Sequence, residues 1–257
     1  MVPFPAALIV AHPGHELRLY RWLEIARPHV FVLTDGSGAG PSRIGSTLEV
    51  LHDVGCTAGS VGSLFSDREI YRLMLNDDVA PIVAATLDIA DSIAECGIRS
   101  VVADAFELYN PIHDLCSVIA ALACERASAA TATVVRRYEY AVTEASSGHG
   151  ERLELDDDAL ARKLAAAQRY DELRPEVERL IARIGLDALR HESLEPAEQG
   201  VALPRLTRKP FYETYGERRV AEGHYSTVIR YEPHFRAFGE KLIAAVQAMP
   251  APVTSPA

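Results

Sequence analysis

The chain has 257 residues, a formal net charge of −10, 48% hydrophobic and 24% charged residues. That size holds one large domain, or one domain with a smaller annex, and its core needs no staples. The acidic balance argues against a nucleic-acid or anionic-membrane surface, and its default reading is solubility. The four cysteines Cys56, Cys96, Cys116 and Cys124 form no C-x-x-C pair. They read as structural thiols in a reducing compartment, so the expected location is cytoplasmic. Leu8 to Ala11 is too short for a signal sequence or a membrane span.

Ala6 to Ala11 is a continuous apolar run and predicts a parallel strand buried on both faces. Leu17 to Ala26 predicts a helix, and His29 to Thr34 a second strand closed by Asp35-Gly36-Ser37-Gly38. Arg43 to Val54 predicts a helix with Gly55 as its C-cap. Val79 to Cys96 predicts a long helix, Arg99 to Asp104 a strand, Ser117 to Ser128 a helix and Thr131 to Val142 a strand. Alternation of strands and helices predicts an α/β fold with a mostly parallel sheet and helices on both faces.

The style changes after residue 145. Ser146 to Gly150 reads as a polar turn, and Asp156 to Tyr170 and Arg174 to His191 as charged helices. Gly200 to Pro210 reads as a loop, His234 to Met249 as a last helix, and residues 250–257 as a disordered tail. The expected organisation is a core over 1–145, then a helical, lid-like part of the same domain over 146–249. Phe211 to Tyr231 carries Tyr212, Glu213, Tyr215, Arg218, His224 and Tyr225. It reads either as a lid or substrate wall, or as an aromatic surface segment packed on the core.

In open α/β sheets, ligands bind beyond the carboxyl ends of the strands. His12 and His15 follow the first strand directly, with Pro13 stiffening the turn between them. Asp104 ends a later strand, and Glu107 to Asp114 ("ELYNPIHD") follows it, which brings His113 toward the same edge. Three histidines arranged this way suit an open metal site with a fourth position left for water. Zinc is the expected ion; neutral imidazoles also suit iron or copper.

"VAHPGHE", then "LTDG", then Arg43, then "YNPIHDLCSVIAALA" resemble the PIG-L/LmbE-like family of zinc-dependent sugar N-deacetylases. The likeness covers roughly residues 6 to 145. The family's first motif is A-H-P-D-D-E, and its second is H-P-D-H ahead of an apolar helix. The resemblance implies a Rossmann-like fold and metal ligands at His12, His15 and His113, with His15 standing where the family has Asp. It places Arg43 near substrate, and Asn110 where the family's histidine steadies an oxyanion. Ile112 replaces the motif's Asp.

Gly14 replaces the family's general base. Candidates for that role are Glu16, Asp104 and Glu107, with Asp35 either serving or shaping its turn, and Asp114 read as a cap for the next helix. The resulting expectation is a metal-dependent hydrolase of a C–N bond, an N-deacetylase of an N-acyl amino sugar or related small metabolite. The alternatives are non-hydrolytic, iron-dependent chemistry at the same site, or a binding protein that retains the pocket without turnover.

Overall fold

A computed structural model describes residues 2–59, 65–143 and 150–250. The expected turn at 146–150, apart from Gly150, and the expected tail beyond Pro250 fall outside the described residues. β1 (Ala6–Val10) is buried at every position and lies between β2 (His29–Val32) and β4 (Ser100–Asp104), parallel to both. The short β3 (Thr57–Ala58) extends the sheet beyond β2, and β5 (Arg136–Tyr140) extends it beyond β4, again in parallel. β6 (Glu151–Glu154) and β7 (His191–Pro196) finish that side antiparallel, giving the order β3-β2-β1-β4-β5-β7-β6. The fold is therefore the Rossmann-like α/β class expected, with an antiparallel pair added.

Successive β1 side chains enter opposite layers. Ala7 and Ile9 join a core formed with α3 (Asp67–Leu75), α4 (Ala80–Glu95), α5 (Pro111–Thr131) and α9 (Ala237–Ala248). Leu8 and Val10 join another formed with α1 (Tyr20–Ala26), α2 (Ile44–Val54) and α6 (Asp157–Arg169). That two-sided burial is why the run shows no polar alternation. Among the described residues, no helix is long and apolar enough to cross a membrane. All four cysteines are free thiols.

Several elements differ from expectation. The helix expected from Arg174 ends early, as α7 (Arg174–Ile184), at Gly185 with φ 80°. The chain then enters β7 at His191, where Glu192 and Leu194 are buried. Glu192 hid this strand, because a carboxylate occupies a core-facing position. It is satisfied there by the backbone N–H groups of Arg21 and Trp22 and by Lys163 Nζ at 2.9 Å. α3 was not expected, although Ser66 and Glu69 form a reciprocal capping box at its start. The expected last helix starts later, at Ala237, after a wide π turn over Tyr231–Arg236. α8 (Phe211–Ala221) occupies the first half of the aromatic stretch.

Candidate active site

β1 and β4 are neighbours, while β2 and β3 lie on the other side of β1. The strand order thus reverses between β1 and β4, and their carboxyl ends open the crevice where α/β sheets bind ligands. The chain leaving β1 turns at His12-Pro13-Gly14 into a 3-10 turn over His15–Leu19. The chain leaving β4 returns through a loop to Asn110, whose side chain accepts the Ile112 N–H at 2.8 Å and caps α5. Pro111 fits the first helical position, where no N–H partner is needed. His113 therefore enters the crevice from the first turn of α5.

The three histidine rings converge. Their centroids are 5.2 Å apart for His12 and His15, 5.1 Å for His12 and His113, and 4.6 Å for His15 and His113. A tetrahedral ion about 2.0–2.1 Å from three imidazole nitrogens sets ring centroids about 5 Å apart. Two of the rings are oriented from behind. His15 Nδ1 lies 2.7 Å from Asp104 Oδ2. His12 Nδ1 lies 2.8 Å from Thr34 Oγ1 and 3.0 Å from Asp67 Oδ1. Each pairing turns Nε2 away from the carboxylate, the arrangement typical of metal-bound histidine. His113 Nδ1 is buried with no protein partner. Burial lowers the His12 pKa and holds that of His113 well below the ordinary value, which favours the neutral imidazole that metal binding needs. Imidazole donors gathered in this way suit a divalent transition ion.

Asp104 is fully buried. Its Oδ2 accepts the Ala11 N–H at 3.0 Å, and its Oδ1 accepts the Tyr140 hydroxyl at 2.6 Å. Burial alone would raise its pKa, but the pairing with His15 leads the effects that hold it at about 2. Donor atoms of His15, Asp104 and His113 lie within 4.8 Å of one another. The His12 ring adjoins this group without belonging to it, and Asp104 also accepts from three donors.

The other expected acid–base residues are occupied in holding the backbone. Glu16 is buried, accepts the Gly14 N–H at 2.7 Å, and bonds the Tyr170 hydroxyl, which also meets Thr47 Oγ1 at 2.6 Å. Burial pushes its carboxyl pKa up. Glu107 accepts the N–H groups of Val142 and Thr143. Asp35 Oδ1 accepts the Ser37 N–H and so shapes its turn. Asp114 is not the helix cap, a role Asn110 fills. Instead its Oδ1 accepts the N–H groups of Glu107 and Leu108, both at 3.0 Å, and burial pushes it up to about 7.

Gly14 has φ 101°, and a Cβ built there would collide with Leu173 Cδ1. The space a side chain would need is filled by the turn between α6 and α7. Arg43 lies beside the same motif: a Cβ on Gly36 would fall 2.6 Å from Arg43 Nε and 3.1 Å from Pro13 Cδ. Its Nε is buried without a partner. Asn110 Nδ2 lies 3.5 Å from His12 Nε2.

Asp67 and Tyr140 are the residues that sequence reasoning missed. The capping box at Ser66 could have placed Asp67 in a helix's first turn. Nothing in the sequence pairs it with a histidine more than fifty positions earlier.

No protein-family profile and no curated protein sequence matches the chain. Solved structures do. The conserved protein TT1542 from Thermus thermophilus is similar at a TM-score of 0.51 and 16% identity, over 79% of this chain and 99% of that one. The A40926 pseudoaglycone deacetylase Dbv21 is similar at 0.49 and 18% identity, over 77% and 99%. A deacetylase triple mutant from the teicoplanin biosynthetic pathway is similar at 0.49 and 12% identity, over 77% and 99%. The first of these likenesses supports the α/β fold read from the sheet order.

Proposed function

We propose that this chain is a metal-dependent hydrolase of an amide bond, an N-deacetylase of an N-acyl amino sugar or a related small metabolite, acting in the cytoplasm. The observation that carries this reading is the trio His12, His15 and His113 at the β1–β4 crevice. Carboxylates stand behind the first two rings, and the third has a buried, unpartnered Nδ1. The order and spacing of the two motifs that resemble PIG-L/LmbE-like deacetylases support the same reading.

His12, His15 and His113 would hold the ion, with zinc the expected occupant. A divalent ion held there supplies Lewis acidity to an acyl carbonyl and to water. Asp104 fixes the tautomer of His15, and Thr34 with Asp67 fixes that of His12. Asn110 offers an amide N–H to a developing oxyanion. Arg43 offers its free guanidinium N–H to a polar group of the substrate. Glu16 accepts the Gly14 N–H and so holds the turn.

The experiment is incubation of zinc-loaded protein with a panel of N-acetylated amino sugars, with release of acetate and free amine read by mass spectrometry. Turnover is expected, is abolished by 1,10-phenanthroline, and returns on adding zinc. A stoichiometrically loaded protein that releases no acetate from any panel member overturns the deacetylase reading.

One observation favours a second reading. A side chain at Gly14, the motif's base position, would meet Leu173 Cδ1, and neutral imidazoles also suit iron, so the pocket also suits non-hydrolytic, iron-dependent chemistry. Iron in the purified protein with dioxygen-dependent turnover would select it.

A further inference from the structure

Exposed aromatic side chains are concentrated at one place on this molecule. Of the five among the described residues, Tyr109 (43% exposed), Phe211 (48%), Tyr215 (36%) and Tyr225 (48%) share one strip, and Phe4 alone lies apart. The strip begins at the histidine cluster. The Tyr109 ring centroid is 6.4 Å from that of His113. Phe211 stacks on Tyr109 at 4.6 Å with the planes 2° apart, and Tyr215 follows Phe211 at 6.0 Å and 26°. Arg218 lies over Tyr215 at 5.3 Å, and Arg219 lies 5.6 Å from the Tyr225 ring.

Two features show that this strip is built. Leu108, next to Tyr109, is held at φ 59°, where a branched side chain is strained. That conformation is clamped by Asp114 Oδ1 on the Leu108 N–H and by the Phe211 N–H on the Leu108 carbonyl at 2.9 Å. The clamp that joins α8 to the loop also places Tyr109 and Phe211 face to face. Exposed apolar surface adjoining a ligand site is a mark of binding.

We propose that the strip is a subsite for a flat aromatic ring carried by the substrate, stacked on the Tyr109–Phe211–Tyr215 series outward from the scissile amide. The proposal rests on the reading of the histidine cluster as the reacting centre. A pyranose would need hydrogen-bonding groups beside the rings. Here the charged groups pair with each other: Arg219 Nη1 meets Glu222 Oε2 at 2.9 Å, and Arg218 Nε lies 4.0 Å from Glu222 Oε1. Exposed aromatic surface remains on all four residues beyond the faces that the rings and Arg218 cover, and it favours an aryl group.

The test uses zinc-loaded protein and three probes: 4-nitrophenyl N-acetyl-β-D-glucosaminide, its methyl glycoside, and N,N′-diacetylchitobiose. NMR titration gives Kd, and mass spectrometry of the same samples reports acetate. The aryl glycoside is expected to bind about tenfold tighter than the methyl glycoside, with chitobiose close to the methyl glycoside. The double variant Phe211→Leu with Tyr215→Leu, which keeps apolar bulk, should erase that advantage and leave the methyl glycoside unchanged.

Equal affinities, an advantage that survives the variant, a preference for chitobiose, or no binding by any probe overturns the proposal. Acetate release without an aryl advantage would remove the subsite and leave the deacetylase reading standing. An aryl advantage erased by the variant, without acetate release, would do the reverse.

Discussion

Replacing Asp104 with alanine is expected to cost about 3–5 kcal/mol of stability, because a fully buried carboxylate disappears from beneath three donors. Its loss leaves the Ala11 N–H, the Tyr140 hydroxyl and His15 Nδ1 without an acceptor. Urea unfolding reads that term. Asp104→Asn separates positioning from folding. It preserves shape and one acceptor, so it should lose less stability. It also removes the charge that fixes the His15 tautomer, so zinc affinity measured by chelator competition should fall about 10–100-fold. Wild-type stability and affinity in both variants would mean that Asp104 does not orient His15.

The second expectation concerns Gly14. Gly14→Asp restores the residue of the A-H-P-D-D-E motif, and it is expected to impair the protein rather than to activate it. A non-glycine residue at φ 101° costs about 1–3 kcal/mol. Crowding against Leu173 Cδ1 adds about 1–3 kcal/mol. Adding Leu173→Ala should recover the crowding part and leave the backbone part, which thermal unfolding of the single and double variants separates. A stable, more active Gly14→Asp protein would show that the turn tolerates the family's base.

These two residues also show where the sequence was legible and where it was not. His12, His15 and His113 could be placed because two follow a buried strand directly and the third follows Asn-Pro at a helix start. Short-range chemistry fixes all three positions. The parallel core was legible for the same reason, since runs such as Leu8 to Val10 fit only a doubly covered strand.

The carboxylates were not legible. Glu16, Asp104 and Glu107 share the correct edge, but each is committed to a partner set by tertiary packing: Tyr170, Tyr140 and the backbone at 142–143. Leu173 fills the Gly14 niche from nearly 160 positions away. β7 escaped because Glu192 breaks the apolar pattern while being buried and paired with Lys163. Long-range satisfaction of a buried charge leaves no local periodicity to read.

The proposed chemistry requires the three histidines to act together as a metal site. Metal analysis of the purified chain, set beside His12→Ala, His15→Ala and His113→Ala variants that retain the wild-type circular dichroism spectrum, tests that most directly. The expected result is one tightly held divalent transition ion per chain in the wild type and its loss from every variant. A metal-free wild type that takes up no zinc, or a His113→Ala protein with full metal content, would contradict it.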